Sequence, residues 1–303
     1  MTESDLARHA RLAGHLHGAA ILPGLEVIMT VRPTLVFSHA NGFPGGSYRT
    51  FLAPFSHHFD VHALDRLGHD PAYPVDAGWE SLSRQLEDFM APLPKPLVGM
   101  GHSMGGVLTF LVAHRRPEWF RALVMLDPPL VNGWQGLLFN LGRRLGQTDR
   151  ITPAGLSQGR RAHWPDREAV DSYFGRRGFF NRFDSRCLAD YLDAGLEKDD
   201  GGWRLRYAPA VEVDVFRTTP GNTGRLAPLR EVPGLMVSGA ESEPMFRRCA
   251  LRHVRRHGMV YRLAPGGHMF PLEQPGTASA IILEALLPML EGTTDANTGG
   301  AAD

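Results

Sequence analysis

Lysine is almost missing from this chain of 303 residues: Lys95 and Lys198 stand alone among 32 basic residues, and the rest are arginine. Thirty-two acidic residues bring the net charge to zero, which excludes the basic footprint of a nucleic-acid-binding protein. Cysteine is equally sparse. Cys187 and Cys249 lie far apart with no C-x-x-C spacing, so neither a disulfide framework nor a thiolate metal knot is available, and both are read as reduced thiols, as in a cytoplasm. No run approaches the length of apolar sequence that a membrane helix needs, and the first residues (M-T-E-S-D-L-A-R-H-A-R-L-A-G-H) carry charge where a secretory leader needs an apolar centre. A cytoplasmic protein with no membrane and no nucleic-acid partner is expected. A zinc-type H-E-x-x-H is missing too. His253 and His257 share its spacing in H-V-R-R-H but lack the glutamate, so they read as a solvated helix face. His57-His58 and His15-Leu16-His17 have no acidic companions; no metal and no cofactor are expected.

What is present is a hydrophobic content of 43%, enough to bury a large core. Strand-like runs at Leu25 to Val31, Thr34 to Ser38, Phe59 to Leu64, Leu97 to Met100 and Arg121 to Leu126 alternate with helical periods such as Trp79 to Met90. Such alternation predicts an α/β fold with a mostly parallel sheet covered by helices on both faces. From Leu130 to Arg225 the alternation stops, and helical fragments rich in arginine and aromatics (Trp134 to Leu145, Arg167 to Phe174, Ser185 to Leu196) read as an inserted, mainly helical cap. The sheet pattern resumes at Val232 to Gly239, continues through a helix at Glu243 to His257 and a strand at Met259 to Leu263, and closes with a helix at Thr277 to Leu290. The predicted division is therefore a core of residues 1–129 and 226–291, a cap of residues 130–225, and a tail of residues 292–303 without a hydrophobic period.

The stretch P-L-V-G-M-G-H-S-M-G-G, Pro96 to Gly106, is the one with chemistry in it. An apolar strand enters, a helical period leaves at Met104, and Ser103 sits in the turn between them. Glycines at 101, 105 and 106 are the residues such a turn needs, since a side chain near it collides with the strand or helix it joins. A G-x-S-x-G pattern alone is weak; placed between strand and helix it predicts a raised serine hydroxyl with a helix N-terminus beneath it. A serine hydroxyl needs a base to act as a nucleophile, and the base needs an acid to orient it. His268, in P-G-G-H after the last strand, fits the chain order Ser, acid, His. For the acid, adjacent parallel strand tips are about 5 Å apart, so one from either strand can reach the same imidazole; Asp127 at the end of its strand is favoured over Glu241 and Glu243, each of which needs its turn shifted by a residue. Two backbone N–H groups are needed for the oxyanion: that of Met104, and one from S-H-A-N-G-F-P-G-G at Ser38 to Gly46, from Asn41 or else Phe43. His39 reads as a loop-shaping residue.

These motifs resemble the α/β-hydrolase superfamily. G-H-S-M-G-G matches its nucleophile turn, D-R-L-G-H-D at Asp65 to Asp70 a turn after one of its strands, and P-G-G-H its histidine loop. H-A-N-G-F-P in place of H-G-x-P, with an acid at Asp127 and serine at 242 where the family's G-x-x-D acid usually sits, is similar to a smaller branch that includes fungal acyl-coenzyme A hydrolases. The resemblance implies hydrolysis of a small-molecule ester or thioester through an acyl-serine, without a cofactor. Acyl transfer on the same residues and a non-catalytic ligand receptor on this scaffold are the alternatives. Between Leu141 and Arg186 ten arginines face five acids, a surplus that either attracts an anionic substrate or is a solvated surface.

Overall fold

The computed structural model describes residues 32–298 apart from positions 132 and 222; the strand read at Leu25 to Val31 lies outside the described residues. The buried run T-L-V-F-S forms β1 (Thr34–Ser38). It is followed by α1 (Arg49–Leu52), β2 (Asp60–Ala63), α2 (Glu80–Met90), β3 (Leu97–His102), α3 (Met104–Arg115) and β4 (Phe120–Leu126). The intervening segment holds α4 (Gly133–Arg144), α5 (Thr148–Ile151), α6 (Ala154–Gln158), β5 (His163–Trp164), α7 (Arg167–Gly175), α8 (Ser185–Gly195), β6 (Leu196–Asp199), β7 (Gly202–Leu205) and α9 (Pro209–Arg217). The chain then returns through β8 (Gly234–Gly239), α10 (Pro244–His257), β9 (Val260–Ala264), α11 (Phe270–Glu273) and α12 (Pro275–Thr298).

Six strands form one sheet in the order β2-β1-β3-β4-β8-β9, every pair parallel. The period of two in a strand sends alternate side chains to opposite faces, and both faces are apolar here. Leu35, Phe37, Val98, Met100 and Val124 join one buried cluster with Ile282 and Leu286 of α12. Val36, Leu97, Leu123, Met125 and Met236 join the other, against Leu82 of α2, Leu108 of α3 and Ala250 of α10. Burial on both faces is why the central strands read as continuous apolar runs. Their C-terminal ends, Ser38, His102, Leu126 and Gly239, lie on one edge of the sheet, and the turns that follow them converge.

Two features add to the sequence reading. The segment between β4 and β8 contains a three-stranded antiparallel sheet, β5-β7-β6, besides its helices. Its hairpin turns at Asp199 to Gly202, where Gly202 adopts φ 131° and a Cβ would lie 2.2 Å from the carbonyl oxygen of Trp164, so D-D-G-G carries a turn signal that the helical reading passed over. The final helix runs on to Thr298, past Gly292, because backbone hydrogen bonding carries a formed helix into sequence without apolar period. Among the described residues no helix is long and apolar enough to cross a membrane.

Candidate active site

Ser103 stands alone between β3 and α3 with φ 52° and ψ −116°, a conformation that a side-chain-bearing residue adopts only under constraint. The constraint is local packing. Its N–H donates to the Leu126 carbonyl at 2.8 Å and its carbonyl accepts from Gly106 at 3.0 Å. Helix α3 crosses β1 so closely that a Cβ on Gly105 would lie 2.1 Å from the Ser38 carbonyl oxygen. Any other residue there pushes the helix, and with it the serine, off the sheet.

His268 follows β9 and faces this hydroxyl: its Nε2 lies 3.0 Å from Ser103 Oγ, the arrangement in which the hydroxyl donates to the ring. Its Nδ1 donates to Asp127 Oδ2 at 2.7 Å. Asp127, also at positive φ (42°), is buried at the tip of β4, with its N–H donated to the Val237 carbonyl at 2.8 Å. The same Oδ2 accepts the hydroxyl of Ser242 at 2.8 Å. Ser242 belongs to the turn after β8, so the neighbouring strand tip supplies a hydroxyl to the carboxylate rather than a carboxylate of its own. Glu241 points to Arg182, at 2.6 Å, and Glu243 is exposed at the start of α10; among the described residues neither bonds to His268.

The Met104 N–H is the first of α3 and so has no acceptor within the helix. Among the described residues the Asn41 N–H has no backbone acceptor either, whereas the Phe43 N–H is occupied by the Ala40 carbonyl at 3.1 Å. Asn41 and Met104 both line the cavity above Ser103; Phe43 instead packs on Tyr191, with ring centroids 5.1 Å apart.

Three braces hold these loops. His39, wholly buried, donates from Nδ1 to the Ala40 carbonyl at 2.8 Å and accepts the Leu67 N–H at Nε2 at 3.0 Å; burial lowers its pKa to about 4. It is a neutral strut tying the Asn41 loop to the turn after β2. His102, beside the serine, accepts the Tyr48 hydroxyl at Nδ1 at 2.7 Å and donates from Nε2 to the His268 carbonyl at 2.8 Å. Burial brings its pKa down to about 3, so no charge beside the His268 ring opposes a proton there. Tyr48 Oη in turn accepts the Ala40 N–H at 3.3 Å. The third brace comes from the segment between β4 and β8. Asn41 Nδ2 donates to the Glu212 carbonyl at 2.9 Å, and the Glu212 carboxylate takes Arg160 at 2.6 Å and the Ser157 hydroxyl at 2.7 Å; Arg160 also bonds to Tyr191 Oη. Sequence reading found none of Tyr48, Glu212, Arg160 or the task of Ser242. Only His102 carried a signal, its place next to Ser103.

A cavity of about 430 Å³ opens onto Ser103 and His268, walled by Trp79, Leu130, Val215, Phe216, Met245 and Phe246 among others. None of the ten arginines between residues 141 and 186 lines it. His253 and His257 correct one reading. They are buried rather than solvated, stacked on each other at 4.1 Å and packed against Phe110, because α10 turns that face to the core. Cys187 and Cys249 are buried, and neither is in a disulfide among the described residues.

Residues 35–280 match the family model described as the alpha/beta hydrolase family. Over 135 residues the chain is 29% identical to the type I acyl-CoA thioesterase mpaH of Penicillium roqueforti, an alignment covering 43% of this chain and 29% of that protein. It is 26% identical over 107 residues to the pimeloyl-[acyl-carrier protein] methyl ester esterase of Aliivibrio fischeri strain MJ11, covering 34% of this chain and 41% of the esterase. The chain thus spans less than half the length of these relatives. In three dimensions it resembles E-2-(acetamidomethylene)succinate hydrolase with a TM-score of 0.65 at 17% identity, over 83% of this chain and 90% of the other, a likeness of fold. With the model spanning the sheet from β1 into α12, this chain belongs to the α/β hydrolase family.

Proposed function

We propose that the protein is a serine hydrolase of carboxylic esters or thioesters working through an acyl-serine. Ser103 attacks the acyl carbonyl while His268 Nε2 takes its proton, and the Met104 and Asn41 N–H groups receive the developing oxyanion. His268 then returns the proton to the leaving group, and water, activated by the same imidazole, clears the acyl group. Asp127 fixes the ring so that Nε2 faces the serine and offsets the charge of the imidazolium. Residues 130–225 act as a cap over the reacting atoms, and a cytoplasmic setting suits two cysteines outside any disulfide.

The observation that carries this reading is the single imidazole within 3.0 Å of Ser103 Oγ and 2.7 Å of Asp127 Oδ2. Relatives named as a thioesterase and as an esterase support the reaction class. The test is covalent labelling of the unmodified protein and the Ser103→Ala variant with a fluorophosphonate, alongside turnover of p-nitrophenyl butyrate. Labelling at Ser103, with turnover falling by about three orders of magnitude or more in the variant, is expected. An unlabelled serine, or near-normal hydrolysis by Ser103→Ala, overturns the assignment.

A further inference from the structure

The cavity beside Ser103 has one consistent chemical character. Among the described residues no Asp, Glu, Lys or Arg lines it, and apart from Ser103 and His268 its polar groups are Asn41, Thr152, Thr219 and the Cys249 thiol. The rim has the same character. Leu138 and Met245 line the cavity and are 54% and 51% exposed, and Leu137, Leu141 and Leu145 continue an exposed apolar strip along and just past α4.

Of the ten arginines between residues 141 and 186 none lines the cavity, and four are held in ion pairs. Arg160 is bound to Glu212, Arg167 to Asp171, Arg182 to Glu241 and Glu273, and Arg186 to Asp184. An anionic group on the substrate chain would therefore leave water for a wall that offers it no cation and few donors, and an ion buried without a partner is strongly disfavoured. An aliphatic chain gains the transfer free energy of every methylene it buries.

Resting on the hydrolase reading above, we infer that the substrate chain held beside Ser103 is uncharged and apolar, and that substrates carrying a carboxylate on that chain are rejected. The Arg-rich composition of residues 141–186 is then not a recognition device for the chain.

Two esters of equal length separate the possibilities: methyl octanoate and monomethyl suberate, which differs by a terminal carboxylate. The unmodified protein is expected to hydrolyse the neutral ester with kcat/KM at least about 100-fold higher, the discrimination an unpaired buried ion imposes. Thr219→Arg, which sets a cation in the wall, is expected to narrow that ratio at least about tenfold. Calorimetric titration of Ser103→Ala with both esters reads the preference without chemistry, and the neutral ester is expected to bind at least about tenfold tighter. Equal or better use of the half-ester, or equal binding, overturns the inference. Absence of turnover with either ester while the binding preference persists overturns the hydrolase reading and leaves the cavity assignment standing.

Discussion

Asp127 Oδ2 receives two hydrogen bonds, from His268 Nδ1 and from Ser242 Oγ. The second is a consequence of sheet order. Strands β4 and β8 are neighbours, with Leu126 opposite Val237, so the turns beyond their tips meet at one carboxylate, and a serine after β8 can steady an acid placed after β4. Removing the charge while keeping the shape, in Asp127→Asn, should lower kcat by about 10⁴, because the amide no longer enforces the right tautomer of the ring. Ser242→Ala deletes one charge-assisted hydrogen bond and should lower kcat about tenfold. Glu241→Gln and Glu243→Gln should leave kcat unchanged. Steady-state kinetics of the four variants on one ester decides the matter, and a larger loss in either glutamate variant than in Asp127→Asn would move the acid to the other strand. The strand ends that carry these groups were legible in the sequence because buried parallel strands are written as apolar runs ending in turn residues. Ser242 as a partner of Asp127 was not, since 115 residues separate them and only the register of the sheet brings them together.

At the scale of elements, the loop after β1 is positioned from outside the sheet. Helix α9 offers the Glu212 carbonyl to the Asn41 side chain, and α9 is itself pinned to α6 and the residues just beyond it through Ser157 and Arg160. The ion pair is largely buried, with 15% of the Arg160 and 9% of the Glu212 side chain exposed, so breaking it by removing one charge leaves the other stranded. Glu212→Gln should destabilise the fold by about 3–5 kcal/mol and lower kcat more than it changes KM, because the N–H of Asn41 loses its fixed direction. Thermal unfolding and kinetics on the same preparation test this. A lowered Tm with full kcat per folded molecule would show that the pair holds the fold without setting the loop. Helix α9 has a hydrophobic face but followed no strand in the alternating pattern, and the β6–β7 hairpin, with four residues to a strand, offers too short an alternation to be read as sheet. The periodicities that predict a sheet core say little about a segment whose contacts are with distant loops.

For the molecule as a whole, the histidines govern its behaviour in acid. His39, His102, His253 and His257 are all buried, and burial lowers their pKa values to about 4, 3, 3 and 4, respectively. Neighbouring groups reinforce this for His257 through Arg256, His114 and Arg230, and for His253 through His257 and Arg256, while Asp65 opposes it at His39. In the unfolded chain each titrates near 6.5. Above that pH both states carry neutral rings and the full stability is present. As the pH falls from 6.5 toward 4 the unfolded chain binds protons that the folded one refuses, so stability is lost by about 1.4 kcal/mol per pH unit for each ring. Four rings acting together make about 5.5 kcal/mol per pH unit, comparable with the whole stability of an ordinary domain. The Tm should therefore be flat from pH 8 to 7 and fall steeply between pH 6 and 4.5. A Tm that holds to pH 4.5 would mean that these rings accept protons in place. His253→Leu separates this cause from the general titration of carboxylates: among the described residues its Nε2 has no hydrogen-bond partner, so the substitution removes one proton-refusing ring without breaking a bond made by that nitrogen. The acid limb should flatten by about a quarter if the four rings contribute equally, whereas carboxylate titration would leave its slope as it was.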